Sequence, residues 1–110
     1  MGPQMTESDW KIFKQIHAVA RERYYMRCVT ELAKILNDNS RSYRDRFIVP
    51  AEMSDKLRRE ASEMFDDYRR STALLKLTRM QYERLVDDGE MARFSPELQE
   101  SVRLILSHGK

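Results

Sequence analysis

Residues 8–36 read SDWKIFKQIHAVARERYYMRCVTELAKIL, and the fold turns on how this stretch is read. It contains no Gly and no Pro, and its apolar residues recur every three or four positions, the period of an α-helix. Thr6 or Ser8 supplies a capping oxygen, while Glu7 and Asp9 place negative charge at the positive end of the helix dipole. Asn37-Asp38-Asn39-Ser40 supplies the stop. A helix from about Ser8 to Leu36 is roughly 45 Å long, at about 1.5 Å per residue. Within it the apolar pattern changes direction. Ile12, Phe13, Ile16, Val19 and Ala20 share one face, opposite Lys14, Arg21 and Glu22. From Tyr24 onward Cys28, Leu32, Ile35 and Leu36 share another, and Arg27, Glu31 and Lys34 occupy the direction that was apolar. Either the helix kinks near Arg23-Tyr24, or its two halves face different neighbours, one inside the chain and one on a second copy. On the latter reading Tyr24, Cys28, Leu32, Ile35 and Leu36 are the candidate self-association residues.

Working outward, residues 38–50 read as a linker holding at most one helical turn over Ser40–Phe47. Ile48-Val49-Pro50 reads as extended, because a proline biases the preceding residue away from helix. A second long helix is expected from Pro50–Ser54 to about Lys76, since proline suits a first helical turn. Leu57, Ala61, Met64, Tyr68, Ser71 and Leu75 form a heptad-like stripe along it. Glu52–Lys56, Asp55–Arg59, Lys56–Glu60, Arg59–Glu63 and Asp66–Arg70 fall at i, i+4 spacing, each pair contributing about 0.2–0.5 kcal/mol. Thr78-x-x-Gln81 resembles a capping box and predicts a short helix over residues 79–88, ended by Gly89, with Tyr82, Leu85 and Val86 inward. Ser95-Pro96-Glu97 predicts a last helix to about Ser107, with Leu98, Val102, Ile105 and Leu106 inward. The expected fold is all-α: a long antiparallel helical hairpin, residues 8–36 against 51–77, carrying two short C-terminal helices. Two helices leave much of each stripe uncovered, so completion of a bundle by dimerisation is expected.

The 110 residues suffice for one domain, taken as residues 6–110. Residues 1–5 are set aside as a tag remnant or disordered start, with Met5 an alternative native start. Hydrophobic residues at 41% can build a core, and charged residues at 35% suit long solvated helices. A net charge of +2 gives no bulk attraction for nucleic acid. Arg outnumbers Lys by 14 to 6, but 18 acidic residues are there to pair with them. The single cysteine, Cys28, fits a reducing, cytoplasmic setting and reads as a small buried apolar residue. No signal-peptide pattern and no membrane-length apolar run is present.

Catalytic motifs are absent from the pattern. His17 and His108 belong to no E-x-x-H or H-E-x-x-H arrangement, and the three glycines stand apart, so no phosphate loop forms. Glu60, Glu63, Asp66 and Asp67 cluster on the second helix, but Lys56, Arg59, Arg69 and Arg70 interleave with them, and a salt-bridged face is the expectation rather than a metal site. Neither a cofactor, a metal nor a catalytic residue is therefore assigned, although a ligand pocket near His17, Tyr24 or Tyr68 stays open as an alternative. Met26, Met53, Met64 and Met80 read as core filling. The candidate partner-binding residues are Arg41, Tyr43, Arg44, Arg46 and Phe47, which mix three guanidinium groups with two aromatic rings. Such a mix serves a protein hot spot, or clamps phosphates and stacks bases. The plainer reading has Tyr43 and Phe47 closing the hairpin end while the arginines pair with Asp38, Asp45 or Glu52.

Ser8-Asp-Trp-Lys-Ile-Phe13, Ala20-Arg-Glu-Arg-Tyr24, Phe65-Asp-Asp-Tyr-Arg-Arg-Ser71 and Arg93-Phe-Ser-Pro-Glu-Leu98 together resemble short, uncharacterised bacterial helical proteins. That resemblance implies a bacterial cytoplasmic protein and carries no activity. The functional expectation is an oligomeric interaction module, adaptor or regulator, without catalysis. A nucleic-acid-binding regulator using the Arg/aromatic linker is the alternative.

Overall fold

Thr6 starts the first helix, its hydroxyl accepting the Asp9 N–H at 3.2 Å. In a computed structural model of the chain, which describes residues 5–108, this helix (α1) runs unbroken over Glu7–Leu36. Met5 lies in the core at 5% exposure, and its carbonyl accepts from Arg70 at 3.2 Å. Residues 1–4 of the suspected remnant lie outside the described residues.

The buried positions of α1 are Asp9, Phe13, Ile16, His17, Ala20, Tyr24 and Cys28. They form one stripe rather than two faces. Steps of four, as from Ala20 to Tyr24 to Cys28, advance about 40° beyond a full turn, so the stripe winds slowly round the helix. The expected separation at Tyr24 is corrected accordingly. Tyr24 and Cys28 are buried within their own chain, Tyr24 donating to the Leu57 carbonyl at 2.9 Å. Leu32 and Ile35 are half-buried, and Leu36 is 50% exposed.

The second helix differs most from expectation. It spans Tyr43–Phe65 (α2), with Ser42 as its cap: the Ser42 hydroxyl accepts the Asp45 N–H at 3.1 Å. Ile48-Val49-Pro50 is therefore helical, and Pro50 lies inside α2, removing the bond to the Arg46 carbonyl. The helix stops at Phe65 because Asp66 is extended and Asp67 adopts a left-handed φ of 58°. A new helix, α3, covers Arg70–Tyr82. The heptad-like stripe is thereby cut: Ala61 and Met64 are buried, but Tyr68 and Leu75 are 40% and 65% exposed. The expected i, i+4 ion pairs give way to others. Arg70 reaches Glu7 at 3.1 Å, Arg79 reaches Glu63 at 3.8 Å, and Arg58 reaches Asp55 at 2.8 Å.

Thr78 caps nothing. It is buried inside α3, and its hydroxyl donates to the Leu74 carbonyl at 2.8 Å. The helix closes through a Schellman turn, with Leu85 N–H to Met80 and Arg84 N–H to Gln81, both at 2.9 Å. Leu85 and Val86 are buried as expected, though on this turn, whereas Tyr82 is 66% exposed. Gly89 ends no helix. It sits in the short α4, Asp88–Met91, held by a reciprocal capping box between Asp87 and Glu90. The last helix, α5, spans Pro96–His108 and buries Leu98 and Val102, while Ile105 and Leu106 are half-buried.

Paired contacts fix the arrangement. Leu36 meets Arg46, Tyr24 meets Leu57 and His17 meets Phe65, so α1 and α2 are antiparallel. Arg70 lies at Met5 while Arg23 bonds Leu85, so α3 returns alongside α1 in the same direction. Arg23 also grips Glu90 through two bonds of 2.6 and 3.0 Å. The chain then runs back to Ser95 beside Asp9, and α5 packs on α3. These elements make a layered base. Between Val29 and Glu60 only Pro50 is buried, so the far ends of α1 and α2 leave that base as a two-helix arm. The principal extents are 52 × 27 × 26 Å, the long one set by α1.

Candidate functional site: the helical arm

Exposed apolar surface concentrates on the arm. Among the described residues, six of the eleven large hydrophobics with exposed side chains lie between residues 25 and 47: Tyr25 and Met26 just below the arm, and Val29, Leu36, Tyr43 and Phe47 on it. Met26, expected in the core, is 65% exposed, and Val19 is 42% exposed. Met64 and Met80 are core residues, and Met53 is half-buried.

At the tip, the turn is held by Asp38, which accepts the Ser40 hydroxyl at 2.6 Å and its N–H at 3.0 Å. Those bonds, helped by Arg41 at 3.3 Å, hold the Asp38 carboxyl below its usual range. Arg46 donates to the Leu36 carbonyl at 2.8 Å and lies 5.1 Å from the Tyr43 ring centroid, a cation–π distance. Arg44 stays 80% exposed, with Asp45 at 3.9 Å. Arg41 and Arg44 thus have the acidic neighbours of the plainer reading. Tyr43 and Phe47 do not close the hairpin end: they are 85% and 74% exposed. Being four residues apart on α2, they share one side of that helix. The sequence placed both rings in a linker and so missed this common side. The signal was present as Ser42-x-x-Asp45, a helix-start pattern that begins eight residues ahead of Pro50.

At the base, the candidate ligand-pocket residues are packed among rings. Tyr68 stands 4.4 Å from His17 and 5.3 Å from Trp10 by ring centroids. His17 Nε2 donates to the Phe65 carbonyl at 3.1 Å, which fixes the proton on that nitrogen. Burial, more than the charges of Arg21 and Lys76, draws the His17 pKa down. Burial also raises Tyr24 and Cys28, whose hydroxyl and thiol stay protonated at neutral pH. The acidic run is dispersed: Glu60 lies 3.3 Å from the Tyr24 hydroxyl, Asp66 accepts from Ser62, and Asp67 from Arg69. Among the described residues no group of three or more His, Cys, Asp or Glu side chains is placed to hold a metal ion. Among them also, no helix is long and apolar enough to cross a membrane.

No protein-family model, curated protein or solved structure matches the chain.

Proposed function

We propose that the chain is a helical interaction module without catalysis, an adaptor or regulator of the cytoplasm that offers its arm to another helical protein surface. One observation carries this reading: Tyr43 and Phe47, two large aromatics on one side of α2, stand almost wholly in solvent at the tip of an arm with almost no core of its own. Concentrated apolar exposure of this kind marks interaction surfaces, and aromatic residues dominate their binding energy. A Tyr43→Ala, Phe47→Ala double variant separates presentation from structure. Because both rings already face solvent, its unfolding free energy in urea stays within about 0.5 kcal/mol of the parent. Association, with itself or with a protein captured from a cell extract, is lost. A fall in stability of several kcal/mol would make the tip a structural closure and end the reading.

The nucleic-acid alternative uses the same tip and has less support. Arg41 is engaged by Asp38 and Arg46 by Leu36 and Tyr43, leaving Arg44 as the guanidinium directed to solvent. Titration with mixed DNA and RNA at low salt is expected to show no salt-dependent binding.

A further inference from the structure

The outward side of α1 carries a second periodicity. Val19, Met26 and Ala33 are seven residues apart, and so are Glu22, Val29 and Leu36. Together they alternate by threes and fours, the a/d spacing of a coiled-coil seam. Val19, Met26, Val29 and Leu36 are 42%, 65%, 66% and 50% exposed, on the side of α1 opposite Phe13, Ala20 and Tyr24. One end of the seam is a shallow, open dip in the surface of α1, lined by Ala18, Val19, Glu22, Arg23 and Met26. The other end of the seam is Leu36, at the last turn of α1 before the tip. The two ends of the seam lie on one face of one helix, roughly 26 Å apart over seventeen residues. A two-fold interface needs a patch that can meet itself, and two such seams laid antiparallel set apolar positions against apolar ones.

We infer that the occupant of this seam is a second copy of the chain, antiparallel to the first about a two-fold axis passing between Met26 and Val29. This rests on the interaction reading above and names its partner. Val19 of each copy lies opposite Leu36 of the other, Met26 opposite Val29, and Glu22 opposite Ala33. Charge selects the direction. Glu22 is the one charged residue of the seam. A parallel pair would set it against its own copy, and like charges in a seam repel. The antiparallel register sets it against Ala33 and brings Lys34 beside it. Lys34 is 68% exposed and held only by an i, i+3 contact to Glu31 at 3.2 Å, so it is free to turn to Glu22 across the axis. On the flank of the same register Tyr25 of one copy faces Leu32 of the other, extending the apolar contact.

Light scattering of the intact chain tests the assembly, and cysteine pairing tests its direction. The expected mass is twice the 13.2 kDa of one chain. It returns to that of one chain in a Met26→Glu, Val29→Glu variant whose helicity is unchanged, since both side chains are exposed within the single copy. In a Cys28→Ala background, a mixture of Val19→Cys and Leu36→Cys chains is expected to form a disulfide between unlike chains on mild oxidation, while neither variant links to itself. A monomer at tens of micromolar overturns the inference, as does Leu36→Cys linking to its own kind, the mark of a parallel pair. A monomer whose tip variant still loses capture of another protein overturns the second copy alone. Loss of both overturns the interaction reading as well.

Discussion

Ser95 donates twice to Asp9, from its N–H at 2.9 Å and its hydroxyl at 2.6 Å, across 86 residues of chain. The Asp9 side chain is almost wholly buried, and the Ser95 hydroxyl also accepts the Leu98 N–H at 3.2 Å. One carboxylate thereby fixes the start of α5 to the start of α1. Replacing it by alanine leaves the Ser95 N–H without its acceptor in a part-buried site. Asp9→Ala is expected to cost about 2–4 kcal/mol in urea unfolding, and Asp9→Asn less, because the amide oxygen still accepts one bond.

His17 makes stability depend on pH. Its folded pKa lies below its ordinary 6.5, chiefly through burial. Below about pH 6.5 the unfolded chain takes up a proton that the folded chain refuses, so stability falls as pH drops and levels off below the folded pKa. Arg21 and Lys76 act in the same direction, and the Phe65 carbonyl opposes them. The urea midpoint is expected to fall between about pH 7.5 and pH 5.5, and a His17→Gln variant to flatten that slope. An equal slope in the variant would assign the dependence to other groups.

Arg84 occupies the left-handed position of the Schellman turn, with φ 62°. Glycine is the residue that adopts this conformation without a Cβ penalty, of about 1 kcal/mol. Arg84→Gly is therefore expected to raise the unfolding free energy by about 0.5–1 kcal/mol, after the glycine's extra freedom in the unfolded chain is counted. Asp67, with φ 58°, offers the contrasting case. There a glycine also removes the bonds from Arg69 at 2.6 and 2.9 Å, so the gain is expected to be smaller.

The elements that sequence reveals are those whose ends carry strong local chemistry. Thr6, Asn37 and Ser95-Pro96 mark helix boundaries through their own side chains, and α1 and α5 fall where those residues place them. Pro50 misled, because its preference for a first turn concealed the weaker Ser42 cap, and the packing of α2 on α1 tolerates a proline within the helix. The break at residues 66–69 bears neither Gly nor Pro. It arises where Phe65 turns its carbonyl to His17, 48 residues away, a contact that no local pattern carries. Thr78-x-x-Gln81 shows the converse, a capping pattern overruled by burial of Thr78 within α3. The tip residues were visible as a cluster of Arg and aromatic side chains. Their exposure was not, since it depends on where α3 ends. The seam of α1 was legible in the sevenfold spacing but hidden by reading Val19 and Met26 as core.

The arm and the base also differ in the length of chain each contact must close. Arg46 reaches Leu36 across 10 residues, whereas His17, Arg23 and Asp9 meet partners 48, 67 and 86 residues away. Loop-closure entropy between the shortest and longest of these differs by roughly 2 kcal/mol. Folding that proceeds from near to distant contacts therefore shapes the arm first and seals the base last. On that order Tyr43 and Phe47 are presented before Asp9 meets Ser95, and the pairing inferred above would compete in time with completion of the fold. If the chain pairs as inferred, its refolding rate is expected to depend on protein concentration, a dependence that the architecture of the single copy does not reveal.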